Sequence, residues 1–310
     1  MTFISKLREK KSNLKTSSQD TYIRNIKRLR KVKNDLPIPE SDSKWLNSKA
    51  LLQWYDKEPL SVRRHMATAA NIALSIYGKE SKEWKTRQRK SMEQFDEHRR
   101  KRELTDKQKK KIPEKGFDAL KKVVAQMKRE LNHLLKKIST LSDLLRVQDL
   151  IILSLYYEYP LRLDFATLKT TPTKTSNSIY KNKKKPAGWH ITLHEFKTAK
   201  SLGSKTFKLG SANQRLLNKF VPAVRELTTH GYLLSNQKGA KMSKQVLSKK
   251  LMKLTKSRIG KEFSVQLLRI LYAMKNRDVI ESAKEVSSKL LHSQEQSLQY
   301  AKKDSKSKEK

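Results

Sequence analysis

The side chains able to do chemistry here are arginines, lysines, histidines and tyrosines. The 310-residue chain has no Cys, so it offers no thiolate nucleophile, no disulfide frame and no zinc ribbon. Its seven His include no HExxH pair, and no carboxylate cluster has the spacing that holds Mg²⁺. Gly-rich loops of the GxxxxGK or GxGxxG type are missing too, so neither ATP nor a dinucleotide is implied. We therefore expect no metal and no nucleotide or other cofactor. What remains suits phosphodiester chemistry. Arg forks neutralise non-bridging oxygens, while Lys, His and Tyr can move protons or attack.

Charge points the same way. Lys and Arg number 71 against 30 Asp and Glu, a formal balance of +41. Such a chain repels itself unless a polyanion lies against it, and nucleic acid is the simplest polyanion. The apolar fraction is 36% and falls in periodic clusters, which argues for buried cores rather than disorder throughout. The longest apolar stretch, Leu150 to Tyr157, contains Ser154 and is too short to span a bilayer. The opening MTFISKLREKK lacks the apolar core of a signal peptide. A soluble intracellular protein of about two domains is expected.

The elements that would position such groups are mostly helical. Residues 1–15 read as a loose basic arm. Ser18 can cap a helix carrying Tyr22, Ile26 and Leu29. After LPIPESDS, a short helix around Trp45 to Tyr55 carries Trp45, Leu51, Leu52 and Trp54. Val62, Met66, Ala69, Ala70, Ala73, Ile76 and Tyr77 then make one apolar face, stopped by Gly78. Another helix is expected over Lys82 to His98, closing a helical unit at 16–98. Residues 99–115 carry nine cations against three anions and read as a basic linker. From Gly116 a second unit begins. Apolar residues from Phe117 to Ile138 repeat at helical spacing for about six turns, and a second helix spans about Ser142 to Tyr157. Trp189, Ile191 and Leu193 alternate, SLGS turns, and KTFKL returns, the one convincing hairpin. Helical spacing resumes from Asn213, and 303–310 is a polar tail. The fold class is mainly α with a small β-hairpin or sheet, α+β.

Four segments stand in a telling order: YPLRLDFATLK with Arg162 and Asp164, FKTAK with Lys197, SVQLLRILYA with Gln266 and Arg269, and LLHSQEQSLQY with His292 and Tyr300. Ser264 is a suitable N-cap, and Gln266 and Arg269 share a helix face at i and i+3. Val265, Leu268 and Tyr272 take the opposite side. In this order and spacing the chain resembles the tyrosine recombinases, or phage-type integrases, from about Ser17 to Lys302. It is most similar to the divergent integrases of large DNA viruses of protists and their virophages. Three positions depart from the family pattern. Gln266 stands where His or Lys is usual, His292 and Tyr300 are eight apart rather than nine, and Leu291 replaces a Gly.

The resemblance implies a helical core-binding (SAM-like) DNA-binding domain at 16–98 and a catalytic domain at 116–302. It implies double-stranded DNA as partner and a homotetramer on that DNA. By carry-over, Tyr300 attacks a phosphodiester and keeps the 3′ phosphate. Arg162 and Arg269 clamp the non-bridging oxygens, Lys197 protonates the leaving 5′ oxygen, His292 donates to the phosphate, and Gln266 assists. Lys200 and Lys205 remain alternatives for the lysine and candidates for DNA contact, as do Arg63, Arg64 and His65. The implied activity is site-specific recombination, integrating a viral or mobile element. The alternatives are strand cleavage of the type IB topoisomerase kind and a catalytically degenerate DNA-binding protein.

Overall fold

A computed structural model describes residues 2–31, 37–101 and 103–289. It divides into two compact units, Met1–Leu104 and Thr105–Lys310. Each has its own apolar core. The second unit is mainly helical around one three-stranded antiparallel sheet, which makes the chain α+β. No described helix is long and apolar enough to cross a membrane.

The first unit opens with α1 (Phe3–Lys10), capped by the Thr2 hydroxyl. This corrects the reading of residues 1–15 as a loose arm. Phe3 and Leu7 are one helical turn apart and both buried, and the Phe3 ring lies 5.1 Å from that of Tyr77. The basic residues of α1 are engaged: Lys6 Nζ reaches the Glu40 carbonyl at 3.4 Å, Arg8 pairs with Asp20 at 3.2 Å, and Lys10 Nζ reaches the carbonyls of Ser75 and Ile76 at 3.3 Å, a cation on a helix C-terminus. Helix α2 (Thr16–Lys31) buries Ile23, Ile26 and Leu29. Trp45 and Leu46 sit on a separate 3-10 turn, Lys44–Asn47, ahead of α3 (Lys49–Lys57). Helix α4 (Leu60–Ile76) buries Ala67, Ala69, Ala70 and Ala73, small residues that let α2 and α5 (Lys82–Arg100) approach closely. Gly78, at φ 68°, ends it.

In the second unit the stretch read as linker holds a one-turn helix, α6 (Asp106–Lys109), with a capping box between Thr105 and Gln108. The expected six-turn helix is broken at Leu131 into α7 (Asp118–Glu130) and α8 (Asn132–Lys136). Both halves still bury their apolar face, so the break leaves the periodicity intact. Helix α9 (Leu141–Glu158) is the centre of the unit; every residue from Leu150 to Tyr156 is buried. The sheet runs β1 (Ser178–Asn182), β2 (Gly188–Leu193), β3 (Lys205–Lys208), with Ile179 opposite Ile191 and Ile191 opposite Phe207. Between β2 and β3 the chain does not turn at SLGS alone. It forms α10 (Ala199–Leu202), ended by Gly203 at φ 64°. Helices α11 (Ser211–Leu227), α12 (Lys244–Ile259), α13 (Val265–Lys275) and α14 (Arg277–Lys289) complete the described unit.

Hydrogen bonds to Glu158, with one from Asn213 Nδ2 to the Ser154 carbonyl at 3.2 Å, fix α11 on α9. Glu158 Oε1 accepts the Gly210 N–H at 2.5 Å, and Oε2 accepts Asn213 Nδ2 at 2.6 Å. A carboxylate at a helix N-terminus is favourable. Glu158→Ala should cost the unit about 0.5–1.5 kcal/mol, chiefly because the buried Asn213 amide loses one acceptor, the exposed Gly210 N–H being left to water. Urea denaturation checks this, and Glu158→Gln, which keeps one acceptor oxygen, should fall between it and wild type.

Candidate functional site

Arg162 lies in the segment leaving α9, and its backbone is held from below. The Tyr156 hydroxyl donates to the Arg162 carbonyl at 2.9 Å. Tyr156 is buried edge-on against Phe165, with ring centres 4.9 Å apart. Burial, then the charge of Asp164, pushes its phenol well above the ordinary range, so it stays a donor. Two residues on, Asp164 opens a 3-10 turn, Asp164–Thr167, and is itself buried.

Arg269 comes from α13. That helix is capped by Ser264, whose hydroxyl accepts the Leu267 N–H at 3.2 Å, and is seated by Leu267, Leu268 and Leu271. Tyr272, expected on the buried side, is 39% exposed instead and meets Phe117 edge-on at 5.4 Å. Arg269 Nη1 donates to the Pro160 carbonyl at 3.0 Å, so the second arginine is tied to the loop carrying the first. Burial lowers the Arg269 pKa, the charge of Arg162 lowers it further, and Asp164 opposes both. The guanidinium stays charged, but in company it repels. Asp164 is raised by burial and pulled back by Lys244, Arg162 and Arg269 in turn. An anion seated between these cations would relieve the repulsion.

Lys244 was not anticipated from the sequence. It is the first residue of α12, whose first turn holds no acid. A cation there is unfavourable for the helix, and that misplacement is the one local signal that could have found it. Gln266 is exposed one turn before Arg269 on α13. Lys197 lies just before α10, Lys200 on it, and Lys205 at the start of β3; all three are exposed. Among the described residues none of them bonds to Arg162, Asp164 or Arg269. His292 and Tyr300 lie outside the described residues.

In the first unit, Arg63, Arg64 and His65 follow one another on α4. The Arg64 guanidinium lies 3.8 Å from the Phe95 ring centre, and its Nη2 is 3.3 Å from His65 Nε2. Arg64 therefore joins α4 to α5 as well as presenting charge. Burial, then Arg64, lowers the His65 pKa. Arg63 lines an open cleft of about 630 Å³ with Tyr55, Lys82, Lys90 and Ser91. Its Nε, like that of Arg64, is buried without a hydrogen-bond partner among the described residues.

The loop leading into α12 hangs on one histidine. His230 Nδ1 accepts the Tyr232 N–H at 2.9 Å, so the proton of the neutral ring sits on Nε2, 2.8 Å from Ser235 Oγ. Burial, then Lys241, lowers its pKa below the ordinary 6.5. The unfolded chain then binds this proton more readily than the folded one. Stability from His230 is full above about pH 6.5 and falls as pH drops through the unfolded value toward the folded one. Denaturant melts from pH 7.5 to 5 should show this loss, and His230→Gln should flatten it.

No known family's model matches the chain, and no curated protein matches it. Among solved structures it aligns over 98% of its length with a XerA recombinase, at 11% identity, 94% of that chain and a TM-score of 0.37. It aligns equally far with a XerH site-specific recombinase bound to difH substrate in a pre-cleavage complex, at 14% identity, 92% of that chain and a TM-score of 0.44. At scores this low, the reading of the site rests on its own residues.

Proposed function

We propose that this chain is a site-specific DNA recombinase that cleaves and rejoins duplex DNA through a 3′-phosphotyrosine. One observation supports it above others: Arg162 and Arg269, distant in sequence, stand together about a buried carboxylate, the second tied by its guanidinium to the loop of the first. In this reading the Tyr300 oxygen bonds to phosphorus as the bond to the 5′ oxygen breaks. The phenol proton passes to solvent water and the departing oxygen takes one from Lys197. Arg162 and Arg269 stabilise the charge that builds on the non-bridging oxygens, with His292 and Gln266 donating to the same phosphate. The phosphotyrosine keeps the bond energy, and a 5′ hydroxyl reverses the steps on a new strand, with neither metal nor ATP consumed. Exchange between two duplexes would need four copies on DNA. Integration of a viral or mobile element follows from the resemblance of the four segments.

A nicked suicide substrate tests the chemistry. Wild type should become covalently joined to DNA and Tyr300→Phe should not, while both bind the duplex with steep salt dependence. Strand-exchanged products from two sites separate recombination from cleavage of the topoisomerase kind. Gln266, Leu291 and the short His292–Tyr300 interval favour a second reading, a descendant that binds DNA without cutting it. No adduct from wild type on its own site, with Tyr300→Phe binding equally well, would establish that reading instead.

A further inference from the structure

We propose that Lys244 is a third cationic ligand of the phosphate held by Arg162 and Arg269. This rests on the recombinase reading and names a residue that neither the four segments nor their order supplies.

Backbone hydrogen bonds bring Lys244 to the site. The chain leaving the 3-10 turn of Asp164 is gripped by the loop between α11 and α12: Leu233 N–H donates to the Leu168 carbonyl at 2.8 Å, and Thr170 N–H to that of Gly231 at 2.9 Å. The same loop folds back on itself, with Met242 N–H on the Leu234 carbonyl at 3.0 Å, so residue 244 follows directly from a segment anchored beside Asp164. Ser243 then caps α12, its hydroxyl accepting the Val246 N–H at 3.2 Å, and α12 contacts the 3-10 turn itself. Lys244 heads the cations acting on the Asp164 carboxylate. It nonetheless makes no ion pair with Asp164 within 4.0 Å among the described residues, so its ammonium is not already committed there.

The charge count gives this a chemical meaning. Arg162, Arg269 and Lys244 against one carboxylate leave a formal +2. A phosphodiester carries about one negative charge at rest and two in the pentavalent transition state, which stabilisation must match to accelerate the step. Of the cations around Asp164, the two arginines alone would balance the resting diester and Lys244 supplies the second charge; Lys197, in the proposed mechanism, gives its proton to the departing 5′ oxygen instead.

Lys244→Met, which keeps length but not charge, tests it against Lys244→Arg, which keeps charge. On the nicked suicide substrate at saturating DNA, Lys244→Met should form the covalent adduct about 100-fold more slowly, the lower end of the 10²–10³ range for a lost transition-state donor, with affinity changed only a few-fold. Lys244→Arg should recover most of the rate. When the scissile phosphate is replaced by an uncharged methylphosphonate, whose transition state carries one charge fewer, the deficit should shrink. A structural role would leave the deficit the same on both substrates and would overturn the proposal. So would a wild-type rate at saturating DNA with weakened binding, which would make Lys244 a grip on the backbone only. An absent adduct from wild type would remove the recombinase reading and this one with it; an adduct from wild type formed equally fast by Lys244→Met removes this one alone.

Discussion

Arg269→Ala is expected to slow covalent attachment to DNA by about a thousandfold while binding to the duplex falls only a few-fold. The magnitude follows from the proposed role. Loss of one preorganised donor on a developing oxyanion costs about 10²–10³ in rate, and loss of an arginine on a transferring phosphoryl group can cost more. The contrast with binding follows from the charge: one cation among 71 is a small part of the electrostatic attraction. Arg269→Lys should be nearly as damaging. The guanidinium already gives Nη1 to the Pro160 carbonyl and keeps a second edge for the phosphate, whereas an ammonium is a point donor without that fork. Single-turnover cleavage on the suicide substrate, beside a binding isotherm at the same salt, measures both quantities. Equal losses in rate and affinity would place Arg269 among the general phosphate contacts and outside the chemistry.

Trp84→Ala should nearly unfold the first unit and leave the core of the second untouched. Trp84 is fully buried, meets Tyr55 edge-on at 5.2 Å, and donates its indole N–H to the Leu46 carbonyl at 3.0 Å. Truncation opens a cavity worth about 3–5 kcal/mol and orphans that carbonyl. A unit of this size has about 5–15 kcal/mol in total. The first unit's calorimetric transition should drop by more than about 10 °C, with the second unit's in place. Trp84→Phe, which loses the donor but keeps a ring, should lie between. Equal shifts in both transitions would mean that the two cores melt as one.

Residues whose environment is set by their own neighbours were the legible ones. Helix α9 was readable because Leu150 to Tyr157 is a nearly unbroken apolar run, β2 because Trp189, Ile191 and Leu193 alternate, and the start of α13 because Ser264 precedes an apolar run. Helix α1 was not. Its buried pair, Phe3 and Leu7, is a single apolar step in a strongly basic stretch, and what buries it is Tyr77 on a distant segment. The break at Leu131 was invisible because periodicity continues across it. The placement of Tyr272 turned on Phe117, which comes from another part of the chain. At the candidate site, motif order named Arg162 and Arg269. Lys244 is brought there by loop hydrogen bonds between residues far apart, which no local pattern records.

The clustering of Arg162, Arg269 and Lys244 round Asp164 also bears on how the protein survives when idle. Repulsion that an anion relieves is, by linkage, a contribution to folding that arrives with the ligand: saturation to a hundred times Kd adds about 2.7 kcal/mol. Over a chain of +41, a duplex bound in the proposed way would act as a folding ligand as well as a substrate. Protein left without a polyanion should be the form that proteases find first, so its lifetime would follow the supply of DNA to hold.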